Sequence, residues 1–136
     1  MKYQTDLDAV PQCPPQGCSP KSLTAYRFVF EKMDHGSFLP VGKMSPSRVD
    51  KARKNRVKCS MLALSMFDTE ENALAKFEEL QESNQHIAKS IGSFLAEGSI
   101  DVNDGIASKP NSRGHFDVFE FKGVDLLPKF RKLRAL

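Results

Sequence analysis

The chain has 136 residues, 40% hydrophobic and 27% charged, a make-up that fits one globular domain and excludes a disordered tail or a fibrous repeat. At this length folding buries roughly two-thirds of the unfolded chain's surface, so a core can form without staples. The formal net charge of +3 hides segregation: seven cations stand against one carboxylate between Lys43 and Lys58, and four more cations fall between Lys129 and Arg134.

Met1–Ser22 carries Pro11, Pro14, Pro15, Pro20 and Gly17. Proline fixes φ and removes a donor, so this stretch reads as an extended, turn-rich lead-in to a single domain over 23–136. Its opening lacks the apolar stretch of a secretory signal. Cys13 and Cys18 flank Pro14 and Pro15 in a spacing that makes a poor zinc knuckle, and no partner pair completes a ligand set, so neither a metal nor a cofactor is expected. Three cysteines is an odd count. They read as free thiols of a reducing, cytoplasmic compartment.

Leu23–Glu31 alternates, with Tyr26, Phe28 and Phe30 on one face and Arg27, Val29 and Glu31 on the other. That period predicts a strand half-buried on its aromatic face. Phe38–Val41 contains Pro40 and reads as an edge piece or loop. Ser45–Arg56 opens with Ser-Pro, a helix start, but its apolar face is thin, so a short helix or a basic loop is expected.

Lys58–Phe67, KCSMLALSMF, is the longest apolar run. It lies between the most basic and the most acidic segments. Apolar residues on both faces predict a central strand covered on both sides, although Leu, Met and Ala also favour helix. The run is far too short to span a bilayer.

Asp68 followed by Glu71 predicts a capped helix over Thr69–Ser83, with Ala73, Leu74, Phe77 and Leu80 inward. A shorter helix follows through Ile87–Ile91 and ends at Gly92. Ser93–Val102 reads as a strand, and Asn103-Asp104-Gly105 as a hairpin turn into a return strand over Gly105–Lys109. His115–Phe121 reads as a third strand. Asp125–Leu127 and Phe130 close the core, and a basic tail follows. The fold class expected is α+β, a mostly antiparallel sheet packed against one main and one short helix.

The CPP at Cys13–Pro15, the AYRFV and FLP that follow, CSMLALSMF with its capped helix, and GHFDVFEFKGVDL together resemble a set of small uncharacterised bacterial proteins. The likeness runs from Cys13 to Phe130. It implies a bacterial cytosolic origin and carries no activity over.

Three groups of residues carry candidate functions. Lys51, Arg53, Lys54 and Arg56, with Arg131 and Arg134, form basic segments that could clamp carboxylates of an acidic partner protein or neutralise phosphates. No aromatics are interleaved, which places a protein ahead of nucleic acid. His115 and Asp117 share a strand face, where a carboxylate can orient an imidazole. A nucleophile beside them would have to come from Cys59, Ser60 or Ser65. Arg27, Ser65 and Glu120 follow the chain order of ADP-ribosyltransferase-like folds, which implies an NAD-using enzyme. The Ser-Thr-Ser and Glu-x-Glu neighbourhoods of that family are missing. The sequence favours a non-enzymatic binding or accessory role through the basic face. The NAD-using enzyme and a self-associating structural protein stand as alternatives.

Overall fold

A computed structural model describes all residues from Met1 to Leu136. The chain is α+β. One antiparallel sheet holds six strands: β1 Leu23–Val29, β2 Leu64–Phe67, β3 Phe94–Ile100, β4 Gly105–Ala107, β5 His115–Glu120 and β6 Phe130–Ala135. Their spatial order is β4-β5-β2-β1-β3-β6. The helices are α1 Gln4–Asp8, α2 Val41–Met44, α3 Pro46–Lys51, α4 Asn55–Ser60, α5 Glu70–Ser83 and α6 Ile87–Ile91. No helix is long and apolar enough to cross a membrane.

Alternation along the strands divides the core between the two faces of the sheet. On one face Ala25, Val29, Leu64, Met66, Phe116 and Val118 pack under Phe38 and Leu126. On the other, α5 covers β1 and β3, where Ala73 joins Phe67 and Leu95. Phe28 holds Phe67 and Phe77 at ring separations of 5.4 and 5.6 Å. Farther along that second face, α1 and α4 bring Leu7, Val10, Cys59 and Leu62 onto Phe119 of β5. Two helical covers therefore share one face, with the short strand β2 between them.

Several expectations are corrected. The run Lys58–Phe67 is not one strand. Its first part finishes α4 and turns, and only Leu64–Phe67 enters the sheet. The helix ends at Ser60, Met61–Ala63 turn the chain, and Leu64, Met66 and Phe67 then fall on both buried faces of the sheet. The basic stretch before it forms α3 and α4 rather than a single element. In β1 the fully buried residues are Ala25 and Val29, while Phe28 packs beneath α5, because both faces of the strand are covered.

The Asn103-Asp104-Gly105 turn does not make a hairpin. β3 lies between β1 and β6, and β4 lies at the opposite edge beside β5. Asp104 instead accepts from the Asp101 backbone amide and from the Lys129 ammonium, at the point where the chain leaves β3. The basic tail is an edge strand, with Phe130 buried and Arg131, Lys132 and Arg134 exposed. The lead-in is also folded. It contains α1, and the Lys2 amide donates to the Glu120 carbonyl at 2.9 Å. Thr69, not Asp68, caps α5 by accepting from the Asn72 amide, and Asp68 takes the Asn72 side chain.

Nor are the cysteines all thiols. Cys13 and Cys59 form a disulfide with a Cα–Cα distance of 5.6 Å. Packing of the lead-in against α4 brings together two residues 46 apart in sequence. Cys18 is the free one. The cysteine pattern therefore gives no support to a reducing compartment.

Candidate functional site

The gap between the two helical covers is a cleft of about 640 Å3. Its floor is the middle of the sheet. β1 and β2 are in register only at Tyr26 and Phe67. Where they part, the Arg27 side chain bridges the opening: Nη1 donates to the Ser65 carbonyl at 2.8 Å and Nε donates to the Ser37 carbonyl at 2.9 Å. The guanidinium lies 5.9 Å from the centre of the Phe38 ring. Its burial lowers the pKa to about 10, with Glu120 opposing that shift, so the group stays charged at neutral pH.

β2 and β5 are in register at Ser65 with Asp117 and Phe67 with His115. That pairing puts Ser65, His115 and Asp117 on the cleft side. Ser65 Oγ lies 2.5 Å from His115 Nε2. Asp117 Oδ1 lies 3.8 Å from the same nitrogen. The side chains of His115 and Asp117 are 31% and 18% exposed, so both reach the cleft while their backbones stay in the sheet. Asp117 Oδ1 has no hydrogen-bond partner. Burial pushes the Asp117 carboxyl above its ordinary range, while His115 and the Ser60 hydroxyl pull it down. Gly114 sets the start of β5. It has φ +80, and an added Cβ would strike the Asp68 carboxylate and the Asn72 amide.

The cleft walls are apolar, with Phe28, Val41, Met61, Leu80 and Ile91 among them. Arg48, Arg56 and Lys76 add positive charge. Leu39, Met44 and Val57 line the same opening and are 38%, 49% and 36% exposed.

The basic residues separate into two groups. Lys51, Arg53, Lys54 and Arg56 lie on or between α3 and α4, are exposed, and form no ion pair within the chain. Arg131 and Arg134 do not extend this face. They lie on the far edge strand, where Arg131 pairs with Glu97 at 2.9 Å and Arg134 approaches Glu70 at 3.9 Å. Cross-strand neighbours and the start of α5 thus supply carboxylates that the linear sequence could not assign.

Arg27, Ser65 and Glu120 do not converge. Arg27 and Ser65 meet at the cleft, but through the Ser65 carbonyl rather than its hydroxyl. Glu120 lies outside the cleft on the Phe116 and Val118 side of β5. Its side chain is 2% exposed and accepts from the Lys2 ammonium at 2.8 Å. The NAD-using arrangement therefore lacks its acid. Of the three nucleophiles considered beside His115, Ser65 is in contact, Cys59 is consumed in the disulfide, and Ser60 sits beside Asp117. The alternation of His115 and Asp117 was readable in the sequence, but the β2–β5 register that adds Ser65 was not. No protein-family model matches the chain, and neither a curated protein nor a solved structure matches it.

Proposed function

We propose that the chain is a binding module that contacts an acidic partner protein through α3 and α4 and the mouth of the adjoining cleft. The observation that carries this reading is the set of exposed cations Lys51, Arg53, Lys54 and Arg56, which have no carboxylate of their own. Arg48 and Arg56 carry that charge to the cleft wall, beside the exposed aliphatic residues Leu39, Met44 and Val57. An amphipathic acidic segment offers both halves of the match: carboxylates for the guanidinium groups and apolar side chains for the cleft mouth. A nucleic-acid backbone offers only the charge, and no exposed aromatic stands among these cations to stack a base.

The test is binding of an acidic amphipathic peptide across a salt series, with single-stranded and duplex nucleic acid titrated in parallel. Affinity for the peptide should fall as salt rises, because the exposed charges are screened. Peptide affinity that does not change with salt removes the mechanism. Tighter binding of nucleic acid transfers the face to that partner. A concentration-dependent dimer that excludes the peptide transfers it to a second copy of the chain.

A further inference from the structure

We propose that Ser65 is a nucleophile and His115 its general base, and that the cleft hydrolyses a carboxylic ester with an apolar acyl group and a nearby negative charge. The inference does not rest on the acidic-partner reading. Its reacting groups lie on the floor of the cleft, and it shares with that reading only Arg48 and Arg56 on the cleft wall.

The geometry starts with the 2.5 Å contact between Ser65 Oγ and His115 Nε2. A base must lie within hydrogen-bond reach of the proton it removes, and this one does. Nδ1 of His115 has no partner in the chain and can keep its own proton, so Nε2 is free to accept from the Ser65 hydroxyl. Asp117 Oδ1, at 3.8 Å from Nε2, is too far to hold that proton. It lies close enough to place a carboxylate beside the nitrogen where positive charge develops in the transition state as the serine proton is transferred. The carboxylate thus acts from the reacting side of the ring, not from behind it as in the familiar serine-protease arrangement. Asp117 Oδ1 has no other partner and is available for this role.

The surroundings define the substrate class. Phe28, Met61, Leu80 and Ile91 form an apolar pocket suited to an acyl chain or ring. Arg48 and Arg56 line the same cleft and supply positive charge for an anionic substituent of the substrate. In the first step the Ser65 Oγ–carbonyl carbon bond forms, the hydroxyl proton moves to Nε2, and the carbonyl electron pair moves onto oxygen. Collapse breaks the ester C–O bond, and the leaving alkoxide takes the proton from Nε2. Water then attacks the acyl-serine by the same route, releasing the carboxylic acid and restoring Ser65.

A fluorophosphonate probe tests this directly, with the modified residue located by peptide mass mapping. The probe should label Ser65 in the native protein, at low and at high salt. Labelling should disappear in Ser65→Ala and slow by about a hundredfold in His115→Asn, while Ser90→Ala, at another cleft serine, should label like the native chain. Thermal melting of each variant separates loss of chemistry from loss of fold. Should either variant fail to fold, mapping of the native protein decides alone. An adduct on Ser65 that disappears in 6 M guanidinium supports the proposal. No adduct on Ser65, or labelling of folded His115→Asn at the native rate, overturns it.

Discussion

The Lys2 ammonium lies 2.8 Å from Oε2 of Glu120 and 2.6 Å from the Val124 carbonyl, and it is the only cation paired with that buried carboxylate. This contact anchors the start of the chain to the end of β5. It also removes Glu120 from any role in the cleft. The other oxygen, Oε1, has no partner. Burial pushes the Glu120 carboxyl above its ordinary value of 4.5, and Lys2 is the strongest influence pulling it down. Replacing Lys2 by Met leaves a buried charge unpaired and should cost about 3 kcal/mol at neutral pH. Because the folded-state pKa is raised, protonation favours the fold, and stability is lost as pH rises from 4.5 through the raised value. The Lys2→Met penalty should therefore be smaller at pH 4 than at pH 7 in denaturant melts. An equal penalty at both would show that the charge on Glu120 is not its source.

The Cys13–Cys59 bond closes a loop between residues 46 apart. In the chain-entropy picture, losing that constraint costs about 4 kcal/mol. Guanidinium unfolding with and without reductant should show a midpoint shift of that order, and Cys13→Ser should behave like the reduced protein. An unchanged midpoint would mean that packing of α1 against α4 already holds the lead-in. Cys18 is a control for alkylation, because burial raises its thiol pKa and Asp117 raises it further. It should react with iodoacetamide more slowly than a free peptide thiol at neutral pH.

Arg27 holds two carbonyls with one planar group, Ser65 on β2 and Ser37 on the turn that precedes α2. Lysine cannot bond both in that fork, so Arg27→Lys should cost about 1–3 kcal/mol despite keeping the charge. The same change should disturb the Ser65 and His115 amide resonances. A variant with native stability and unshifted resonances would contradict the bridging role.

Thr69→Ala should lower stability by about 1 kcal/mol, since its hydroxyl accepts from the Asn72 amide at the start of α5. Asp68→Ala should cost less, because Asp68 bonds a side chain rather than an open helix amide. Paired thermal melts check the order of the two effects.

These residues also show what the sequence could reveal. The acidic first turn and the spacing of Ala73, Leu74, Phe77 and Leu80 locate α5 to within a residue, because helix signals are local. Its cap is displaced by one position, since Asp68 and Thr69 can both cap: the Thr69 hydroxyl takes the Asn72 amide, while Asp68 donates its own amide to the Gly114 carbonyl and accepts from the Asn72 side chain. The alternation of β5 was legible for the same local reason. The pairing of strands was not. A turn such as Asn103-Asp104-Gly105 fixes the direction of the chain but does not choose its neighbour, and Gly105–Ala107 pairs with β5, a strand that comes later in the chain. β6 looked like a tail because an exposed edge strand rich in Lys and Arg has little apolar alternation, and such charge keeps an edge from pairing with another molecule. The odd number of cysteines concealed a bond between the first and the last of them. The candidate site followed the same rule. Each of its residues was visible singly, and the register of Ser65 with Asp117 brought them together.

The most direct test of the acidic-partner reading is chemical-shift mapping of the folded chain with an acidic amphipathic peptide at low salt. The shifts should cluster on Leu39, Met44, Arg48, Lys51, Arg53, Lys54, Arg56 and Val57, and vanish when Lys51, Arg53, Lys54 and Arg56 are all replaced by Glu. Shifts centred on β6 around Arg131 and Arg134, or shifts that persist in the charge-reversed variant, would contradict it.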